Sequence, residues 1–122
     1  MRSVALACLL ILVGAHTASA DDRAFARAFI GRQLRAIRAG DVHELQVTCE
    51  PRLHARLTPA QLARARKRFA TTKVDDLVGS VERDKRGNLV IARPDGTPLV
   101  MLVEGDGLWR AWTAWFLAAP PA

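Results

Sequence analysis

The 122-residue chain contains no tyrosine and only two cysteines, and it has neither a glycine-rich phosphate loop nor a Gly-x-Ser-x-Gly motif. The phosphate loop and the Gly-x-Ser-x-Gly motif are the usual sequence signals of nucleotide-binding proteins and of serine hydrolases, so the sequence gives no indication of either class. An uninterrupted apolar run of the roughly 18 residues that a membrane-spanning helix needs is also missing. The length suits one domain with a modest core, and it is too short for a two-domain enzyme.

The first twenty residues have the three parts of a secretory signal peptide in order: a positive start, an apolar run and a cleavage site of small residues. Met1-Arg2 precedes the ten-residue apolar run Val4–Val13, and Ala18-Ser19-Ala20 supplies small residues before Asp21. Small residues at these positions are what a signal peptidase reads. We therefore expect residues 1–20 to be cleaved near Ala20, and the mature protein to be secreted or periplasmic. The alternative is an uncleaved membrane anchor, but no stop-transfer pattern follows.

Cleavage there leaves Cys49 as the one remaining cysteine, so an internal disulfide is excluded. Cys49 follows Leu45 by four residues on a predicted helix, which favours a buried apolar role over a reactive one. His43 and His54 are the candidate partners for a nucleophile or metal site. Their spacing to Cys49 does not match ligands on one helical face, and no fourth ligand is indicated. We predict no metal and no cofactor.

Helical signals fill the first half of the mature chain. Apolar residues on one side of 22–38 and arginines on the other predict an amphipathic helix that ends at Gly40. Asp41 is suited to cap a second helix, which Pro51 ends. A helix cap at Asp41 next to a surface histidine at His43 accounts for the two residues without a catalytic pair. Thr58-Pro59 begins a third helix, with Gln61 as the reciprocal cap.

The second half has strand signals separated by turns. The turns Lys85–Asn88, Pro94–Thr97 and Gly105–Gly107 delimit predicted antiparallel strands near 74–84, 88–93, 98–104 and 108–117. The pair Asp75-Asp76 would then point to opposite faces of a strand as surface charges. The predicted fold is therefore α+β, with three N-terminal helices on an antiparallel sheet of about four strands. It forms one domain over 21–117, followed by a flexible tail at 118–122.

The central strands are apolar on both faces. Leu89–Ala92 and Leu99–Val103 do not alternate with polar residues, whereas a sheet with one wet face would. One layer of helices covers only one face, so the other needs a pocket or a second subunit. We expect a homodimer formed through the sheet.

The motifs Ala39-Gly40-Asp41, Glu50-Pro51-Arg52-Leu53, Leu57–Leu62 and Val103–Arg110 occur in an order that resembles small secreted bacterial members of the nuclear-transport-factor-2-like superfamily. The resemblance covers most of the mature chain, and its motifs are helix caps and turns. It implies a cone-shaped fold with a curved sheet, an apolar cavity that binds a hydrophobic ligand, and frequent dimerisation. The candidates to line that cavity are the aromatic residues Phe25, Phe29, Trp109 and Trp115.

Positive charge is concentrated in the helical half. The chain carries a net charge of +6, with twelve Lys/Arg against five Asp/Glu in 21–73 and five against seven in 74–122. On the third helix Arg64, Lys67 and Arg68 share a face. This face is either solvated or binds an anionic partner: a lipid surface, an envelope polysaccharide or an acidic protein. Nucleic acid is not expected, because the tryptophans are not interleaved with the basic residues.

These observations favour a secreted, non-enzymatic binding or interaction domain with an apolar cavity and a basic helical face. One alternative is a small enzyme of the same fold that acts on a hydrophobic ligand in the cone. Another is an electrostatic binder of an anionic envelope surface. A carboxylate or histidine that projects into the cavity would favour the enzyme.

Overall fold

A computed structural model describes residues 16–117 of the chain. The predicted tail at 118–122 and residues 1–15 of the predicted signal peptide lie outside the described residues. The elements, in chain order, are β1 (His16–Thr17), α1 (Ala20–Ala39), α2 (Val42–Thr48), a 3₁₀ helix (Pro51–Arg56), α3 (Pro59–Arg68), α4 (Val74–Leu77), β2 (Ser80–Arg83), β3 (Leu89–Ala92), β4 (Pro98–Gly105) and β5 (Leu108–Ala111). None of the helices within these residues is long and apolar enough to cross a membrane.

Local sequence signals explain where α1 begins and ends. The Ser19 hydroxyl accepts a hydrogen bond from the Asp22 backbone N–H at 3.1 Å, and the Asp22 carboxylate accepts one from the Ser19 N–H at 3.3 Å. This reciprocal pair satisfies two of the unpaired N–H groups at the helix start. Gly40 ends the helix with φ +67°, as predicted, because a left-handed backbone carries little cost at glycine.

The caps of α2 and α3 form with one partner rather than two. The Asp41 carboxylate accepts a hydrogen bond from the Glu44 N–H at 3.1 Å, and the Thr58 hydroxyl accepts one from the Gln61 N–H at 3.2 Å. Glu44 does not complete a capping box with Asp41, because its carboxylate binds the Arg32 guanidinium. The Gln61 side-chain oxygen is buried without a hydrogen-bond partner.

The sheet confirms the predicted α+β order of helices followed by four antiparallel strands. Strands β2 to β5 form a meander in which each pairs with the next, and β1 adds to the free side of β2. On the other side, Cys49 makes a parallel bridge to Ala111 in β5, and the Glu50 N–H donates to the Ala111 carbonyl at 3.1 Å. The loop between α2 and the 3₁₀ helix therefore lies along the last strand.

Two predicted strands were wrong in extent. The strand at 74–84 begins only at Ser80, because Val74–Leu77 is a turn of helix in which the Asp76 carboxylate accepts the Lys73 N–H at 2.9 Å. Asp75 and Asp76 are thus exposed residues of a helical first turn, and Asp75 pairs with Arg27. The strand at 108–117 ends at Ala111, and the residues after it leave the sheet and turn into the core.

The helices pack on one face of the sheet. The strand residues on that face are buried: Val81, Leu89, Ile91, Val100, Leu102 and Ala111. Val90, Met101 and Val103 alternate with them and are half-buried on the opposite face, which we call the outer face. Gly79 lies where β2 begins, and a Cβ atom there would be 2.5 Å from the Arg93 carbonyl. The close approach of these two backbone segments therefore requires glycine.

Candidate binding site

The structure brings together three of the four aromatic residues predicted to line a cavity. The Phe25 ring lies 6.1 Å from the Phe29 ring and 5.4 Å from the Trp109 ring, measured between centroids. Phe29 is buried, Trp109 is half-buried, and Phe25 is 38% exposed at the margin of α1. These three residues, the aromatic cluster, join the first half of α1 to β5.

Trp115 lies in a different part of the core. Its ring makes edge-on contacts with Phe69 and Phe116, each at a centroid distance of 5.4 Å. Its indole N–H donates to the side-chain oxygen of Gln33 at 2.7 Å. The amide of Gln33 then donates to the Thr48 hydroxyl at 3.0 Å, so this fully buried glutamine joins α1, α2 and the C-terminal segment. Trp115 is thus used in packing and hydrogen bonding within the core.

Cys49 has the buried environment that its helical spacing predicts. Burial raises the pKa of its thiol to about 11, even though the Gln33 amide donates to the sulfur at 3.6 Å. A thiol in this state is a poor nucleophile and a poor metal ligand, because both roles require the thiolate. Among the residues described, no group of three or more His, Cys, Asp or Glu side chains is arranged to hold a metal ion.

His54 has a structural contact with the end of α2. Its Nε2 lies 2.8 Å from the Gln46 carbonyl and 3.3 Å from the Cys49 carbonyl. Carbonyl oxygens only accept hydrogen bonds, so Nε2 carries the proton and donates to them. The C-terminal carbonyls of a helix lack partners within the helix, and His54 supplies one here. The 3₁₀ helix is held against α2 in this way.

A groove runs between α2, the 3₁₀ helix and β5. It has a volume of about 330 Å³, and we call it the α2–β5 groove; its walls are formed by His43, Gln46, Val47, Pro51, His54, Leu108 and Arg110. Leu108 is 53% exposed and Val47 is 41% exposed, so two large apolar side chains face solvent on opposite walls. The volume lies at the small end of the range for small-molecule sites.

Arg110 distinguishes this groove electrostatically. The residue is half-buried, and it forms no ion pair with any residue in the described range 16–117. Three other arginines of the fold are neutralised: Arg27 by Asp75, Arg32 by Glu44 and Arg83 by Asp22. A guanidinium that is partly removed from water without a counterion favours binding of an anion.

The basic residues predicted on the third helix are exposed. Arg64, Lys67 and Arg68 lie on α3, which also carries Arg66. None of the four forms an ion pair within the described part of the chain. The sequence from Pro51 to Lys73 has seven Lys/Arg and no Asp/Glu. We call Arg64, Lys67 and Arg68, which share one side of the helix, the basic face.

The α2–β5 groove is not evident from the amino-acid sequence. From the sequence, His54 is a candidate partner of Cys49, and His43 is a candidate partner of Cys49 or of Asp41. The structure turns the Cys49 side chain into the core and leaves both histidines at the groove. Leu108 directly follows the Gly105–Gly107 turn, but single exposed leucines are common and its exposure depends on the fold, so the sequence contains no signal for it. Arg110 carried no signal, because its lack of an acidic neighbour depends on tertiary structure. Comparisons of the chain with protein-family models, with curated proteins and with solved structures find no match.

Proposed function

We propose that the protein is a secreted, non-enzymatic binding domain of the nuclear-transport-factor-2-like type, and that its α2–β5 groove binds a small amphipathic carboxylate. The observation that carries this proposal is the half-buried, unpaired Arg110 beside the exposed Leu108. The support for the superfamily is the order of caps and turns together with the α+β arrangement. The groove replaces the interior of a cone as the ligand site in this proposal.

The contacts in the groove suggest how such a ligand binds. The guanidinium of Arg110 presents a planar fork of donors that fits a carboxylate with two parallel hydrogen bonds. Val47, Pro51 and Leu108 form apolar walls on which a hydrocarbon chain loses contact with water. Each Å² of apolar surface buried contributes about 25 cal/mol. The charge therefore favours a carboxylate over a neutral lipid. The apolar area favours a carboxylate with a hydrocarbon chain over acetate.

Calorimetric titration of the protein with decanoate and with decanol tests this proposal. Arg110→Gln should weaken decanoate binding at least about tenfold, since a hydrogen bond to a charged group contributes roughly 1.5–3 kcal/mol. Arg110→Lys keeps the charge but not the fork, and it should show an intermediate loss. Arg64→Gln is the matched control, because it removes the same charge outside the groove. Equal binding of decanol, or equal losses in Arg110→Gln and Arg64→Gln, would contradict the proposal.

A second candidate function is electrostatic binding of an anionic envelope surface by the basic face. The acid-free run from Pro51 to Lys73 favours it, and Arg64, Lys67 and Arg68 form no ion pair within the described residues that would compete with an external anion. The protein should sediment with vesicles that contain anionic lipid, and less so as salt rises from low to physiological concentration. The triple variant Arg64→Gln, Lys67→Gln, Arg68→Gln should lose this binding. Vesicle binding that does not change with salt concentration would rule out the electrostatic mechanism.

The homodimer expected from the sheet remains part of this proposal. Its support is the outer face, where Val90, Met101 and Val103 are half-buried and Trp112 is 43% exposed. Light scattering at high micromolar concentration should report a dimer for the natural chain and a monomer for Met101→Glu. A monomer for both would remove the dimer from the proposal. Val47→Asn is the control, since it changes an exposed apolar side chain of the groove that lies on α2 and not on the sheet.

A further inference from the structure

Residues that precede the expected cleavage point are built into the folded domain. Ala18 is only 4% exposed and packs within the hydrophobic core. Its N–H donates to the Val81 carbonyl at 3.3 Å, and its own carbonyl accepts a hydrogen bond from the Arg23 guanidinium at 2.7 Å. A residue of a discarded leader has no need of these three contacts.

The neighbours of Ala18 are also engaged. His16 and Thr17 pair with Arg83 and Glu82 as the two-residue strand β1. Ser19 forms both halves of the capping box at the start of α1. Cleavage after Ala20 would remove this cap and this strand together. It would also place the new positive amino group of Asp21 at the positive end of the helix dipole, which is unfavourable.

We propose that signal peptidase cleaves the chain ahead of His16, between Ala15 and His16, so that the mature protein retains residues 16–20. This inference rests on the secretion proposed above. Water supplies the hydroxyl group to the new Ala15 carboxyl group and a proton to the new His16 amino group. Gly14 and Ala15 are small residues, and they directly follow the apolar run that ends at Val13. Fifteen residues is the lower end of the length range of signal peptides.

The cleavage position is tested by expressing the full chain with its own leader in a secreting bacterium and measuring the intact mass of the exported protein. We expect a mass that begins at His16, and a mass that begins at Asp21 would overturn the proposal. Ala15→Glu and Ala20→Glu form a matched pair, because each places a large charged residue where the peptidase needs a small one. Ala20 is exposed at the start of α1, where a glutamate fits the helix dipole, so this change leaves the fold intact.

The pair of variants has opposite expected outcomes. Ala15→Glu should block processing, whereas Ala20→Glu should be processed like the natural chain. Processing lost only in Ala20→Glu would place the cleavage after Ala20 and refute the inference. A full-length mass for the natural chain would contradict secretion itself, and with it both cleavage positions.

The structural half of the inference is tested separately from export. In protein purified from any compartment, Ser19→Ala should lower the melting temperature by about 4–8 °C, as expected for the loss of a helix cap. Thr58→Ala removes the equivalent cap of α3 and serves as the reference. Ser19→Asp keeps an acceptor at the cap and should melt like the natural chain. A loss in Thr58→Ala with none in Ser19→Ala would show that residues before Ala20 do not belong to the fold.

Discussion

Replacing the buried Gln33 with methionine should destabilise the protein through a single unpaired donor. Gln33 is fully buried, and its side-chain oxygen accepts the indole N–H of Trp115 at 2.7 Å. Methionine has a similar length, so the main effect of Gln33→Met is to leave that N–H without an acceptor. The Thr48 hydroxyl keeps a partner, because it lies 3.1 Å from the Glu44 carbonyl and donates to it. Gln33→Met also removes the hydrogen bonds that the Gln33 amide donates to Thr48 and to the Cys49 sulfur, but the indole N–H of Trp115 is the buried donor that it leaves without an acceptor.

The expected loss follows from the cost of an unsatisfied buried group. Leaving a buried donor unpaired costs about 1–3 kcal/mol, so we expect the free energy of unfolding to fall by about 2 kcal/mol. For a domain of this size the melting temperature should drop by roughly 8–16 °C. Urea denaturation followed by circular dichroism measures the loss without depending on tryptophan fluorescence.

A double-mutant cycle separates this cause from a packing defect. Trp115→Phe removes the indole N–H, so in the Gln33→Met background no orphaned donor remains. The double variant should then lose less stability than the sum of the two single variants, by at least about 1 kcal/mol. A loss below about 0.5 kcal/mol in Gln33→Met, or strictly additive losses, would refute the reasoning.

Three further predictions concern backbone contact and titration. Gly79→Ala should lower the free energy of unfolding by about 1–3 kcal/mol, because the new Cβ atom would meet the Arg93 backbone. Gly105→Ala should not, since nothing lies within 4 Å of a Cβ atom at that position, and thermal melts of the two variants test the difference. Burial raises the pKa of Cys49 in the folded state to about 11, so the stability that the buried thiol contributes is constant below pH 9 and is lost as the pH rises towards 11. Urea denaturation of the natural chain should show this loss, and urea denaturation of Cys49→Ala should not. The hydrogen bond from Arg83 lowers the pKa of Asp22, so the stability that this ion pair supplies is present above pH 4 and is lost below pH 4. Asp22→Asn should lower the free energy of unfolding by under about 1 kcal/mol at pH 7, and the stability of the variant should depend less on acid pH.

The features that were predictable from sequence are those that depend on neighbours in the chain. Gly40 ends α1, Asp41 and Thr58 begin helices, and the three turns separate antiparallel strands, because each signal acts within a few residues. The burial of Cys49 was also predicted, although the residue lies just after α2 in an extended conformation and not in the helix as expected. Local hydrogen bonds and backbone preferences are sufficient for these features.

The errors have two sources: a local helix cap that the pattern did not indicate, and contacts between residues that are distant in the chain. Val74–Leu77 is apolar at its ends and was expected in a strand, but the Asp76 carboxylate caps a helical turn there. Trp115 was expected on a strand facing a cavity, whereas its indole N–H binds Gln33, 82 residues earlier in the chain. Arg110 acquires its significance only because tertiary structure brings no carboxylate to it. Sequence periodicity contains no information on such pairings.

The loop at Cys49 and Glu50 has a consequence for how molecules of this protein associate. An uncovered sheet edge offers unpaired N–H and C=O groups to another chain and promotes growth into fibres. Here Glu50 occupies the edge at Ala111, and β1 occupies the edge at β2. Strand addition is therefore hindered where these short segments cover the two edges, and the flat surface of the sheet is the more open route to a closed, finite assembly. Detachment of either two-residue cover should convert such an assembly into open-ended growth.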